Sequence, residues 1–236
     1  VVKILENKKV RAFLNDSALM IEADKVWASG FNGSGVVVCL LDTGIATHDY
    51  LPTPIAWIDL INHKQEPYDD NGHGTYVAGI VVSSHQTYKG IAFGASLAVA
   101  KVLNSEGVGY YDDIIAGIEW CVMKNASVIS LSLGGAPYKG TCDSDLLAAV
   151  VNEVVKRGIV VVAAAGNNGK EGVTTPACAS KAIAVGAVDK DGYVPSWSGM
   201  GSQLDLVAPG VSVKSTYLDD TFITASGTSV AAPHVS

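Results

Sequence analysis

Residues 36–42 read Val-Val-Val-Cys-Leu-Leu-Asp, a continuous apolar run that ends on a carboxylate. A run without polar alternation is typical of a strand buried on both faces of a parallel sheet. The next residues, Thr43-Gly44, allow the chain to turn sharply after that strand. Similar apolar runs alternate with helical patterns along the chain, and this alternation indicates an α/β protein.

The alternation predicts five core strands and three helices. The expected strands are Val36–Leu41, Ser96–Leu103, Ser127–Leu131, Ile159–Ala164 and Ala182–Val188. The expected helices lie near Thr75–Ser84, Asp112–Asn125 and Ser144–Arg157. We therefore expect three layers, a mostly parallel sheet with helices on both faces.

Composition limits the classes of protein that fit. The chain has 236 residues, of which 48% are hydrophobic and 17% charged, so it is a packed globular chain long enough for a sizeable core. Its net charge of −7 argues against nucleic acid as a partner. No apolar run reaches the length needed to span a membrane, so no membrane partner is expected.

Three short motifs carry an aspartate, a histidine and a serine in that order. They are Leu40–Ile45, Asn71–Thr75 and Ser226–His234. Each residue alone has an ordinary structural reading, as a turn cap, a helix-end donor or an N-cap. Together they fit nucleophilic catalysis, because a serine hydroxyl needs a base and that base needs an anion to orient it. This predicts Ser229 as nucleophile, His73 as base and Asp42 as its orienting carboxylate.

A fourth stretch, Ala163-Ala164-Ala165-Gly166-Asn167-Asn168, lies between the histidine and serine motifs. Asn167 follows an apolar strand and a glycine, so its side-chain amide is placed to stabilise an oxyanion. The backbone N–H of Ser229, at the start of a helix, is the expected second donor.

The four motifs resemble those of the subtilase family of serine proteases, from about Ile21 to the end of the chain. Other segments resemble the same family: Ala23–Trp27, Lys101–Leu103, Gly107–Tyr111, Ile129–Gly135 and Val207–Gly210. The resemblance implies a subtilisin-like fold and a serine endopeptidase that acts through an acyl-enzyme, without an organic cofactor. It implies Asp42, His73 and Ser229 as the catalytic triad and Asn167 as the oxyanion donor.

The resemblance also implies where a polypeptide substrate binds. Two segments should pair with it as an added β-strand, namely Gly107, Val108 and Gly109, and Ser132, Leu133 and Gly134. Ala164, Ala165 and Gly166 should line the pocket for the residue before the scissile bond. Their small side chains imply a roomy pocket and a broad preference for apolar or aromatic residues.

One connection and one residue depart from the family pattern. The connection Ser83–Gly90 is short and has no acidic residue, so a structural calcium, which needs several oxygen ligands, is only weakly supported. Tyr76 stands where the family often has a second histidine, and we expect that change to be tolerated. The spacing of cysteines and histidines identifies no metal site.

The sequence supports a different expectation for each of two pairs of cysteines. Cys39 lies in an apolar strand and Cys121 in a helix, so both are expected to be buried thiols. Cys142 and Cys178 lie in loops that, by the resemblance, border the specificity pocket. A disulfide between these two is the hypothesis, and it fits an oxidising compartment outside the cytoplasm.

Both ends of the chain bear on its organisation. Residues 1–14 resemble the tail of an inhibitory propeptide, with an edge strand of the domain as the alternative. Residues 15–236 then form a catalytic domain, expected to be incomplete at its C-terminus. The first hypothesis is a secreted, monomeric endopeptidase with its own propeptide as chaperone and inhibitor. The second is an inactive zymogen fragment or a non-catalytic relative, which does not need all four of Asp42, His73, Asn167 and Ser229.

Overall fold

The computed structural model describes residues 16–236. Its strands are β1 Val37–Asp42, β2 Ala56–Asp59, β3 Ser96–Lys101, β4 Val128–Leu131, β5 Pro137–Tyr138, β6 Val160–Ala164, β7 Val173–Thr174, β8 Ile183–Val188, β9 Leu206–Pro209, β10 Val213–Tyr217 and β11 Thr221–Ala225. Its helices are α1 Asp16–Met20, α2 Ala23–Ala28, α3 His73–Val82, α4 Tyr111–Met123, α5 Leu146–Lys156 and α6 Thr228–Ala231. Short 3₁₀ turns follow at Gly169–Glu171 and Ala232–His234. The proposed propeptide tail, residues 1–14, lies outside the described residues.

A seven-stranded parallel sheet forms the middle layer, in the order β2-β3-β1-β4-β6-β8-β9. The five predicted core strands are confirmed, and β2 and β9 add one edge strand on each side. From β1 the chain continues first to the β3 side and then to the β4 side. Ligands of open α/β sheets bind at the carboxyl ends of strands where the order reverses in this way.

Helices cover both faces of the sheet, as predicted. Cys39 and Leu41 of β1 belong to the apolar core under α4 and α5. Val38 and Leu40 point to the other face and pack with residues of α3. Because alternate side chains of one strand enter opposite cores, the strand needs an unbroken apolar run.

A hairpin of β10 and β11 supports α3 from outside the main sheet. Tyr76 of α3 is buried, and its hydroxyl donates to the carbonyl oxygen of Val213 at 2.6 Å. Thr216 of the hairpin donates to the carbonyl oxygen of Thr75 at 2.8 Å. The residue that departs from the family pattern at position 76 is therefore a buried contact between α3 and the hairpin.

Two disulfides cross-link the domain. Cys142 and Cys178 are bonded with their α-carbons 5.4 Å apart, which confirms the hypothesis for that pair. The prediction of free thiols at Cys39 and Cys121 was wrong, because these residues form a second disulfide with α-carbons 5.9 Å apart. The prediction that both are buried holds, since neither has exposed surface. The sequence separation of 82 residues left no local pattern from which to infer this pair.

Aromatic and imidazole side chains pack against one another at the connection between α3 and β3. His85 and Tyr88 stack with centroids 5.1 Å apart, and His85 also meets Tyr50 at 4.5 Å and Phe222 at 5.0 Å. These side chains do not fit the oxygen-rich shell that calcium requires. Within residues 16–236, no three His, Cys, Asp or Glu side chains are grouped so that they could hold a metal ion. In the same range, no helix is long and apolar enough to cross a bilayer.

Candidate active site

Asp42 and His73 meet at the carboxyl end of the sheet. Asp42 is the last residue of β1 and is buried, and His73 is the first residue of α3. Their side chains form a 2.7 Å hydrogen bond between His73 Nδ1 and Asp42 Oδ1. Gly74 permits this approach, since a Cβ there would lie 2.1 Å from the carbonyl oxygen of Gly44. The bond leaves the other ring nitrogen of His73, Nε2, for proton exchange at the cleft.

The Asp42 carboxylate has few other partners. Its Oδ1 also accepts the backbone N–H of Thr43 at 2.7 Å. Its buried Oδ2 has no hydrogen-bond partner within the described residues. A buried anion with so few donors is stabilised most by a positive charge on the imidazole it contacts. The arrangement therefore favours the protonated form of His73.

The pKa of His73 reflects these surroundings. Burial alone would lower it, but the charge of Asp42, the hydrogen bond to Asp42 and the charge of Asp69 together raise the pKa above its usual value. The imidazole remains one-third exposed, with 33% of its side chain accessible. A base of raised pKa that stays accessible is suited to take a proton from a neighbouring hydroxyl.

Asp69 organises the turn before α3. Its carboxylate accepts the hydroxyl of Thr43 at 2.9 Å, the N–H of Gly72 at 2.8 Å and both the N–H and hydroxyl of Thr75 at 2.9 and 2.7 Å. Burial would raise the pKa of Asp69, but these donors hold it below its usual value. Asp69 therefore remains an anion that ties the turn after Asp42 to the start of the helix bearing His73.

Ser229 and Asn167 converge on Gly227. A Cβ built on Gly227 would lie 3.2 Å from Ser229 Oγ and 3.6 Å from Asn167 Nδ2, so both atoms border one space. Asn167 Oδ1 accepts the N–H and the hydroxyl of Thr228 at 2.9 and 3.1 Å. Because the amide oxygen is engaged there, the amide nitrogen is directed toward that shared space. The backbone nitrogen of Ser229 lies 3.8 Å from the same Cβ position, so it borders this space as well.

A cleft with a volume of about 510 Å³ is lined by residues that include His73 and Tyr111. Its walls include the two predicted strand-binding segments, Gly107–Gly109 and Ser132–Gly134. Ser132 also donates its hydroxyl to the carbonyl oxygen of Ser229 at 3.0 Å, which joins the wall to the serine-bearing helix α6. The cleft therefore brings both predicted segments to the same place as His73.

Thr174 lies between Gly134 of a predicted strand-binding segment and Gly166 of the expected specificity pocket. A Cβ on Gly134 would lie 2.4 Å from Thr174 Oγ1, and a Cβ on Gly166 would lie 2.5 Å from Thr174 Cγ2. Ala164 and Ala165 are buried beside this point. The sequence analysis missed Thr174, whose buried side chain lies against both glycines.

Asp145 bonds both to a residue that lines the cleft and to the start of a helix. Its Oδ1 accepts the N–H groups of Leu147 and Ala148 at 2.9 and 3.3 Å, which caps α5. Its Oδ2 accepts the hydroxyls of Tyr111 and Tyr138 at 3.1 and 3.4 Å. Tyr111 is thereby held at the cleft by the same carboxylate that begins α5.

The sequence analysis also missed Asp69, Lys101 and Thr228. Thr228 bonds to Asn167 and Gly166, whereas Asp69 and Lys101 bond to Thr43, the residue after Asp42. One signal was present for each: Asp69 stands four residues before His73, Lys101 ends a strand beside β1, and Thr228 precedes Ser229. None of them carries a motif of its own. Their roles become visible only when the hydrogen-bond partners are known.

A buried Asp–His pair, a serine beside an amide donor and a cleft on a parallel α/β sheet are the features of a serine protease. The Subtilase family model matches residues 33–236. The chain is 42% identical to subtilisin DY of Bacillus licheniformis over 223 residues, which cover 92% of this chain and 80% of that protein. It is 40% identical over 209 residues to a thermostable alkaline protease of Halalkalibacterium halodurans, covering 88% of this chain and 56% of that protein.

A solved structure agrees with the sequence relatives. The crystal structure of a cold adapted subtilisin-like serine proteinase superposes with a TM-score of 0.77 at 34% identity, covering 87% of this chain and 74% of that one. The chain belongs to the subtilase family, whose subtilisin-like members are hydrolases that act on peptide bonds. The fold expected from the resemblance is therefore confirmed.

Proposed function

We propose that the chain is a serine endopeptidase that cleaves polypeptides through an acyl-enzyme on Ser229. His73 takes the hydroxyl proton as Ser229 attacks the peptide carbonyl, and it later returns that proton to the leaving amine. Asp42 holds the imidazole tautomer and stabilises the imidazolium. The observation that carries the proposal is the 2.7 Å bond between His73 Nδ1 and the buried Asp42 carboxylate.

Stabilisation of the oxyanion is assigned to two donors. Asn167 Nδ2 and the Ser229 N–H both border the space above Gly227, and neither the amide oxygen nor the Thr228 N–H competes for it. Donors held in place before the reaction act on the tetrahedral intermediate more than on the flat ground-state carbonyl. Asn167 is therefore expected to affect turnover more than substrate binding.

The substrate is proposed to bind as an extended strand between the two walls of the cleft. Backbone groups of Gly107–Gly109 and Ser132–Gly134 supply the pairing. The residue before the scissile bond enters beside Ala164–Gly166, whose small side chains favour an apolar or aromatic group. Thr174 limits the depth available to that group.

Location and partners follow from the same proposal. The two disulfides fit an oxidising compartment, so we propose a secreted, monomeric enzyme. Its own propeptide is proposed as chaperone and inhibitor. The mechanism uses no organic cofactor and no metal.

Labelling with an active-site serine reagent tests the catalytic assignment. The expected result is one adduct, located on Ser229 by peptide mass analysis and lost in both Ser229→Ala and His73→Ala. A matched control is Ser226→Ala, since that nearby hydroxyl accepts the N–H of Ser212 instead of bordering the cleft. Folded wild-type protein that is not labelled would favour the alternative, a non-catalytic relative or inactive zymogen fragment.

A further inference from the structure

Lys101 is a fully buried lysine beside the candidate site. It ends β3, and its side chain has 0% exposure. The ammonium donates three hydrogen bonds, to the carbonyl oxygen of Thr43 at 2.6 Å, to Asp70 Oδ1 at 2.6 Å and to the carbonyl oxygen of Leu103 at 2.8 Å. All three of its N–H groups thus have acceptors. The Asp70 side chain is 35% exposed, and an ion pair of this kind adds little stability compared with apolar side chains of similar volume. Stability alone therefore does not explain this lysine.

The three acceptors belong to three segments of the site. Thr43 directly follows Asp42, Asp70 stands three residues before His73, and Leu103 begins the wall that leads to Gly107–Gly109. The parallel register also places Lys101 directly beside Asp42. One ammonium therefore bonds to the turn after the carboxylate, the loop before the base and the start of the cleft wall.

Because Lys101 is paired with Asp70, we expect it to act through the segments that it joins more than through its charge. The ammonium and the Asp70 carboxylate neutralise one another at 2.6 Å, so the pair adds little net field at His73. What remains is a rigid link between the turn at Thr43 and the loop at Asp70. Asp69 makes a second, independent link between the same turn and α3 through the hydroxyl of Thr43. Loss of Lys101 is thus expected to loosen the site without separating its parts.

We propose that Lys101 is a positioning residue for the Asp42–His73 pair. Its ammonium holds the two segments that carry these side chains, which keeps the bond between Nδ1 and Oδ1 short while charge develops on the imidazole. This inference rests on the proposed roles of Asp42, His73 and Ser229. It adds a residue that touches neither the substrate nor the reacting atoms.

The test compares Lys101→Met, Asp70→Ala and Asp70→Asn with the wild type. Turnover is measured per titrated active site, so loss of folded protein does not count as loss of rate. Lys101→Met should lower kcat by about ten- to a hundredfold with little change in KM, because small misplacements of catalytic groups act on the transition state. Asp70→Ala should lower kcat less, and Asp70→Asn should recover most of the loss, since an amide oxygen still accepts from the ammonium.

A spectroscopic readout separates positioning from stability. The far-downfield proton resonance of the His73 Nδ1–H group should shift or broaden in Lys101→Met and Asp70→Ala. The control is Val151→Ala, which destabilises the buried face of α5 and should leave both kcat and this resonance as in the wild type. A folded Lys101→Met protein that matches this control in kcat and resonance would overturn the proposal.

The remaining outcomes are also decisive. If Lys101→Met does not fold, equal kcat values for Asp70→Ala and Asp70→Asn overturn the proposal, and the expected difference supports it. Normal labelling of Ser229 in every variant with unchanged kcat removes the role of Lys101 while the triad assignment stands. Failure to label Ser229 in the wild type overturns the triad assignment and this inference with it.

Discussion

Removal of the Cys39–Cys121 disulfide should strongly destabilise the domain. The bond joins residues 82 apart in sequence, and closing a loop of that length corresponds to about 4 to 5 kcal/mol in the chain-entropy model. Both side chains are fully buried, so truncation to alanine adds about 1 kcal/mol from lost packing. The double variant Cys39→Ala, Cys121→Ala should therefore lose about 5 to 6 kcal/mol of unfolding free energy.

The assay is urea unfolding followed by tryptophan fluorescence, in a Ser229→Ala background that prevents self-digestion. The matched control removes Cys142 and Cys178, whose bond spans 36 residues and corresponds to about 4 kcal/mol. A loss below about 1 kcal/mol for the first pair would refute the entropic reasoning. Two free thiols at Cys39 and Cys121 in the intact mass would refute the bond itself.

Three further predictions concern the cleft and the serine-bearing segment. Asn167→Ala should lower kcat about a hundred- to a thousandfold, as removal of the oxyanion-hole asparagine does in subtilisin. Steady-state kinetics that show a near-normal kcat would contradict its role. Thr174→Gly should raise kcat/KM for peptides with an aromatic residue before the scissile bond more than for peptides with alanine there. If the ratio of these two kcat/KM values does not change, Thr174 lies outside the pocket. Burial lowers the pKa of His234 from 6.5 to about 4, so the unfolded chain binds a proton that the folded chain excludes, and stability should fall by about 3 kcal/mol as pH drops through that interval. In the inactive background, urea unfolding of His234→Gln should show a weaker pH dependence there, and an equal dependence would contradict this assignment.

The core of the fold was predictable because its strands carry a strong local signal. Val36–Leu41 was expected as a strand and is observed as Val37–Asp42, since a run buried on both faces must be apolar at every position. The edge strands lack this signal. Ala56–Asp59 has only four residues, and Leu206–Pro209 is partly exposed and ends on a proline. Both are defined by their neighbours in the sheet more than by their own composition.

The residues of the site also differ in how well the sequence predicts them. Residues that must be one chemical type, such as His73 and Asn167, were identified from the sequence and stay predictions of role. Thr174 and Lys101 escaped because their functions depend on what they contact across the fold. A threonine or lysine at those positions has many ordinary uses, and only three-dimensional proximity distinguishes among them.

The carboxylate of Asp145 both holds Tyr111 and caps α5, so one side chain affects peptide preference and stability together. A substitution there that alters peptide preference through Tyr111 also removes the cap of α5, at about 1 kcal/mol. Tyr111→Phe removes only the hydroxyl and leaves that cap in place. Evolution of the cleft near Tyr111 is therefore expected to proceed by exchange at Tyr111, while Asp145 changes rarely and only after a stabilising mutation elsewhere.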